Sequence, residues 1–168
     1  MATINEVRNL TSPARVSLWE VMLPRVPGGS VSMTQELTLR ARRAQWPGVE
    51  VPSYESWFKG CAIKHPSKIN FPRKVTFEFE EGMNLAVMNL MYGWMGTFRN
   101  FKTGLGAGED GFKTDGIVRL LNYDDEVLAK ATLYNLYIES MPEIALDPAQ
   151  DASIMIPVTF SYDYWIFS

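Results

Sequence analysis

The chain has 168 residues, of which 46% are apolar and 21% charged. That balance fits a single folded, soluble domain over 1–168 and excludes a disordered or fibrous protein. A formal charge of −3 argues against tight phosphate-backbone binding, one cysteine excludes an intrachain disulfide, and one histidine excludes a His-based or Cys/His zinc centre.

The opening residues lack a basic region followed by an apolar run, so no signal peptide is expected, and 1–14 reads as a polar arm. No stretch approaches the roughly 18 consecutive apolar residues of a membrane span. Arg15 to Leu23 reads as a first strand, ended by Pro24, with Pro27-Gly28-Gly29-Ser30 as a turn or flexible tip. Glu36 to Ala44 alternates Leu37, Leu39 and Ala41 with Thr38, Arg40 and Arg42, which predicts a second strand. Val49 to Phe58 and Cys61 to Lys64 form a hairpin across Lys59-Gly60.

Lys74 to Glu80 sets Val75, Phe77 and Phe79 against Thr76, Glu78 and Glu80, another strand. The period then changes. From about 83 to 98, Leu85, Met88, Tyr92 and Met95 recur at spacings of three and four and predict one α-helix, with Asn84 as N-cap and Gly96 near its end. Five glycines between 99 and 116 predict a long mobile loop. Gly116 to Asn122 and Glu126 to Glu139 pair as a hairpin across Tyr123-Asp124-Asp125, and a proline-containing loop from Pro142 to Asp151 follows. In the last segment Ile154, Ile156, Val158, Phe160, Tyr162 and Tyr164 alternate with polar residues, so the chain ends in one long strand. About seven strands, one helix and no βαβ alternation predict a mainly β, antiparallel sandwich or barrel with one flanking helix.

Few residues suggest chemistry. Gly106-Ala107-Gly108-Glu109-Asp110-Gly111 matches G-x-G-x-x-G, but it follows a helix, leads to a strand and carries two carboxylates that repel phosphate, so it reads as a loop. His65 has no evident catalytic partner, and Cys61, beside Ala62 and Ile63, reads as a buried, inert thiol. Glu78, Glu80 and Glu81 are a solvated face or a carboxylate-lined wall; nothing marks a sugar cleft that would make them a hydrolase pair. Arg40, Arg42 and Arg43 are a nucleic-acid patch, a subunit contact or a solvated strand face. The helix is apolar most of the way round, with Met83, Met88, Met91 and Met95, and needs cover on more than one side.

Taken in order, several of these segments resemble the tail tube protein of contractile-tailed bacteriophages. They are Leu18-Trp19-Glu20-Val21, Pro47-Gly48-Val49, Phe71-Pro72-Arg73-Lys74-Val75-Thr76-Phe77 and Met91-Tyr92-Gly93-Trp94. Gly116-Ile117-Val118-Arg119-Leu120-Leu121, Tyr134-Asn135-Leu136-Tyr137-Ile138, Met141-Pro142 and Tyr162-Asp163-Tyr164-Trp165 follow, so the resemblance spans about 15 to 168. It implies a β-sandwich or barrel-like tail tube fold, shared with type VI secretion and related injection-system tubes. It also implies homohexameric rings stacked into a hollow tube inside a sheath, with no enzyme activity and no cofactor or metal. The implied partners are copies of the chain, the tail sheath protein, baseplate and tail terminator proteins, and the tape measure protein and DNA in the lumen, with no membrane. The implied location is the phage virion, assembled in the host cytoplasm.

On that resemblance Glu78 and Glu80 are candidates for the lumen, since carboxylates repel DNA. Arg40, Arg42, Arg43, Glu109, Asp110, Tyr164 and Trp165 are candidates for contacts between subunits. The rival readings are a baseplate or tube-initiator ring protein of the same fold, a split-barrel enzyme binding flavin or nucleotide, and a monomeric ligand-binding module.

Overall fold

The computed structural model describes residues 14–106, 108–144, 146 and 152–168. Nine strands and two helices follow in the order β1 (Trp19–Met22), α1 (Val31–Arg40), β2 (Ala41–Ala44), β3 (Ser53–Phe58), β4 (Cys61–Pro66), β5 (Lys74–Glu80) and α2 (Ala86–Phe98). β6 (Thr114–Leu121), β7 (Val127–Ser140), β8 (Met155–Ser161) and β9 (Tyr164–Phe167) complete it. Every strand pairing is antiparallel. The main sheet runs β1-β6-β7-β8-β5-β2, with β9 also on β7, while β3 and β4 pair only with each other. β1 and β2 end the order without hydrogen-bonding to one another, so the sheet curls without closing into a barrel.

The curl is organised by β7. Along one edge it pairs with β6; along the other it pairs with β9 over Ala131–Tyr134 and with β8 from Tyr137 onward. Between those two stretches Asn135 takes a left-handed backbone (φ 57). Asparagine tolerates that region better than most residues because its short amide bonds locally. Its Nδ2 donates to Asp163 Oδ2 at 2.7 Å, and its backbone N donates to Asp115 Oδ1 at 3.2 Å. Asp163 lies in the break between β8 and β9, so the same corner divides the expected single last strand into two.

The core lies inside this bend. Val21, Val118, Ala131 and Leu133 come from the β1-β6-β7 side, and Val75, Phe77, Phe79, Ile156, Val158 and Phe160 from the β5-β8 side. α2 contributes Val87, Leu90, Met91 and Trp94, all buried. Trp94 Nε1 donates to the Phe112 carbonyl at 2.6 Å, which satisfies the one polar atom of an otherwise apolar side chain. Those four residues form an i, i+3, i+4 buried stripe, but not the expected one: Leu85 and Tyr92 are exposed and Met88 and Met95 half-buried, so the helix lies where the pattern puts it and buries a different face.

The helix begins three residues later than expected and with a different cap. Leu85 occupies the N-cap position in a left-handed conformation (φ 51); Asn84 Oδ1 accepts only a long bond from Ala86 N at 3.4 Å, and the shorter caps come from Glu81. The Glu81 carboxylate accepts from the backbone N–H of Val87 at 3.1 Å and of Met88 at 2.7 Å. A negative group at a helix N-terminus satisfies orphan donors and complements the helix dipole. Glu81 directly follows β5, so this contact fastens strand to helix.

The strand expected over Glu36–Ala44 is corrected: most of it is α1, and only Ala41–Ala44 is extended. Ser30 caps α1, its side chain accepting from Met33 N, and Thr34 and Leu37 are its buried positions. The period of two in Leu37, Leu39 and Ala41 was misleading because Leu39 is solvent-exposed. Pro27–Ser30 is not a loose tip either, since Gly29 lies so close to Leu90 that a Cβ there would meet its Cδ1 at 2.6 Å. The glycine-rich loop likewise folds back: Asn100 N donates to the Leu105 carbonyl at 2.7 Å, and a Cβ on Gly106 would strike the Phe98 carbonyl. The 1–14 arm and most of the Pro142–Asp151 loop lie outside the described residues.

Replacing Glu81 with Ala removes an N-terminal cap, and we expect it to lower unfolding free energy by about 1–2 kcal/mol, with Glu81→Gln losing less. Urea denaturation followed by Trp fluorescence measures both.

Candidate assembly surfaces

One exposed apolar feature is the β3–β4 hairpin. Its turn, Lys59-Gly60, has positive φ at both residues (48 and 83), the geometry that matches the twist of a two-residue hairpin. Backbone bonds in both directions between Glu50 and Asn70 extend the pairing to its base. Tyr54 (57% exposed), Trp57 (72%) and Phe58 (65%) project from it with Ile63, and none belongs to the core. A two-stranded hairpin is marginal alone in water. His65 sits on this hairpin, stacked on Tyr54 at 5.2 Å and 2.8 Å from Ser56 Oγ. The hydrogen-bonded pair serves cross-strand packing; Glu55, the nearest acid in sequence, pairs with Lys64 across the hairpin. Cys61, expected to be buried, is exposed because its strand has no cover.

A second feature is the gap between β1 and β2. It is a cleft of about 710 Å³ lined by Trp19, Glu20, Ala41, Arg42 and Arg119 among others. Both strands therefore present edges with unused backbone donors and acceptors, a template for pairing with another chain.

The charged residues singled out in the sequence come together on the outward side of β2 and β5. Arg43 pairs with Glu78 at 2.8 Å, and Arg42 Nε donates to Glu80 at 2.6 Å. Arg40 pairs with Glu36 one turn back in α1 and lies over Gly82. The two acidic candidates and two of the three basic ones are thus partners of each other within one chain, while Arg40 is held by Glu36. A hydrogen bond from Ser153 and then the Arg42 guanidinium hold Glu80 below the usual carboxylate range, and Asn84 and Arg40 do the same for Glu36.

Trp165 is half-buried and closes its own fold, its Nε1 donating to the Gly48 carbonyl at 2.9 Å and its ring meeting Trp46 edge-on. Tyr164 is exposed and stacks on Tyr134 at 4.8 Å. Glu109 pairs with Lys113 at 2.9 Å and keeps that ammonium protonated above its usual range. The backbone of Asp110 lies in the single 3₁₀ turn Glu109–Gly111, and its side chain is outside the described part.

Sequence reasoning missed a cavity of about 750 Å³ between the end of α2, the 99–113 loop and the end of β7. Phe98, Phe101, Phe112 and Tyr137 line it, with Glu109, Glu139 and Asp163 also at the site. The signal was the pair Phe98 and Phe101 flanking a helix end, which composition alone assigns to a loop. Among the described residues no cluster of three or more His, Cys, Asp or Glu could hold a metal, and no helix is long and apolar enough to cross a membrane.

No family model matches the chain, and no curated protein matches it in sequence. Solved structures do share its fold. The tube-terminating cap of the anti-feeding prophage matches with a TM-score of 0.71 at 18% identity, over 100% of this chain and 99% of that one. The sheath/tube terminator of an extracellular contractile injection system, PVC, matches at 0.68 and 14% identity, over 95% and 99%. The sheath–tube complex of PVC matches at 0.64 and 13% identity, over 100% and 99%. The fold is that of contractile-injection tube and cap proteins.

Because folding lowers the Glu80 pKa, the folded state holds that proton less tightly than the unfolded chain. The resulting stability is complete above the ordinary 4.5 and is lost as pH falls through the lowered value. We expect the acid-side fall in Tm below about 4.5 to be shallower in Glu80→Gln, measured by thermal unfolding across pH.

Proposed function

We propose that this chain is the tube subunit of a contractile tail or injection particle. Copies form hexameric rings, the rings stack into a hollow tube inside a sheath, and the tube conducts cargo, DNA in a phage tail, into the target cell. One observation carries the reading: the fold matches tube and cap structures over 100% of this chain and 99% of theirs. The edges of β1 and β2 and the uncovered hairpin support it, because stacking copies into closed rings removes exposed edges and covers apolar surface. The role is structural: assembly surfaces take the place of a catalytic constellation. Its partners are the same chain, a sheath, a baseplate and a terminator, with tape measure protein or DNA in the bore.

The β2–β5 face, with Glu78 and Glu80, lines the bore in this reading. A channel through which DNA slides avoids free cations, since each phosphate neutralised by Lys or Arg adds a salt-dependent grip. Here the carboxylates occupy Arg42 and Arg43 and mask them. Glu109, Tyr164 and the β3–β4 hairpin, a projecting arm distinct from the 1–14 segment, contribute to contacts between copies.

A second reading, a terminator or baseplate ring, is favoured by one observation: two of the best-matching structures contain a tube cap and a sheath/tube terminator. Electron microscopy of concentrated protein separates the two, with long tubes expected for the subunit and discrete rings for the terminator. A monodisperse monomer at every concentration overturns both. Replacing 53–66 with a short Gly-Ser linker is expected to leave the body's cooperative unfolding transition in place and to abolish assembly. The double variant Glu78→Gln/Glu80→Gln is expected to unmask both arginines, so that its tubes retain duplex DNA at low salt and release it at high salt.

A further inference from the structure

We propose that the tip of the arm on one copy seats in the aromatic cavity of a second, with Trp57 and Phe58 entering between Phe98, Phe101 and Phe112. The proposal rests on the self-assembly reading and names the receptor that reading leaves open. Tip and cavity are different patches of one chain, and no arm residue lines the cavity. A contact between two different patches is heterologous: it propagates head to tail and either closes into a ring or continues as a filament.

The two surfaces match in chemistry. Large aromatic side chains are the usual anchors of an interface, and they act by filling desolvated pockets. Trp57 and Phe58 are the most exposed aromatics of the arm, and at about 750 Å³ the cavity is within the size range of sites that enclose a bound group. Charge agrees as well. Lys59 lies at the turn, and the cavity residues include Asp163, whose described partner is the neutral Asn135 amide, while Glu109 and Glu139 are paired with Lys113 and Lys74 and Lys64 with Glu55. Six residues of extended strand reach about 20 Å, enough to cross to a neighbouring copy.

The sole cysteine supplies a reporter, because Cys61 is exposed and faces Phe58 in the hairpin register. In Arg99→Cys a second thiol stands at the cavity. Treating the assembled full-length variant with a short bismaleimide is expected to give a ladder of chain multiples on a denaturing gel, which wild type does not give. Phe101→Glu, at the cavity, is expected to raise the concentration needed for assembly roughly tenfold or more, with circular dichroism unchanged. If rings or tubes form, Arg99→Cys gives no ladder and Phe101→Glu assembles like wild type, the docking is overturned and the assembly reading stands. If wild type never assembles, both fall.

Discussion

The kink at Asn135 is the constraint on which the rest of the structure depends. A fourteen-residue strand that stayed straight would hold β8 and β9 in one flat sheet, and the aromatic faces of β5 and β8 would have nothing to meet. By entering the left-handed region at one residue, and by bonding Asp163 across the corner, β7 sends its two halves into different layers. Irregularities of this kind bend a strand and increase its twist. Phe77, Phe79 and Phe160 then share one buried core with Val118 and Leu133, and Trp94 of α2 packs on Phe160. The same geometry leaves β1 and β2 at the two ends of the curl, close but unpaired. A core and a pair of open edges follow from one backbone choice.

That choice explains what could and could not be read from the sequence. Period two was reliable wherever one face is buried: β5 has the predicted bounds, and Ile156, Val158, Phe160 and Tyr162 are buried as the last strand's pattern requires. It failed at Glu36–Ala44, where the alternation Leu37, Leu39, Ala41 is genuine but Leu39 points to water. There the helix signals were Ser30 three residues before Met33 and the Glu36–Arg40 pair at i, i+4, short-range cues that a longer alternating run obscured. The break between β8 and β9 was illegible, because Tyr162-Asp163-Tyr164 keeps strand composition and only the tertiary bond to Asn135 divides it. The cap of α2 was largely illegible for the same reason: Glu81 lies just past the end of β5, and only the tight turn before the helix brings it back.

The candidate surfaces were legible in type more than in arrangement. Basic and acidic groups separated by more than thirty residues are adjacent in the folded chain because β2 pairs with β5, a pairing hidden while 36–44 was read as one strand. Once paired, Arg42 with Glu80 and Arg43 with Glu78 make that face close to neutral. Exposed ion pairs of this kind contribute little to stability, so their consequence is a surface without free cations. Cys61 shows the opposite error. Beside Ala62 and Ile63 it has the composition of a buried strand, yet that strand stands clear of the body.

Stability and association are assigned to separate parts of this chain. The core residues lie on β1, β5 to β8, both helices and the adjoining loops, while the β3–β4 arm contributes none of them, so the body can fold without the arm and the arm can change without unfolding the body. Cores tolerate extensive hydrophobic exchange provided that pattern and volume are kept. That tolerance accounts for a fold matched along its whole length at 18% identity. The arm is under a different constraint. Its aromatics gain nothing from the core, so their exposure in water is a standing cost unless a partner covers them. In the proposed assembly a neighbouring copy lifts that cost by covering Trp57, Phe58 and Ile63, and the aromatic cavity on another face of the molecule is the proposed complement.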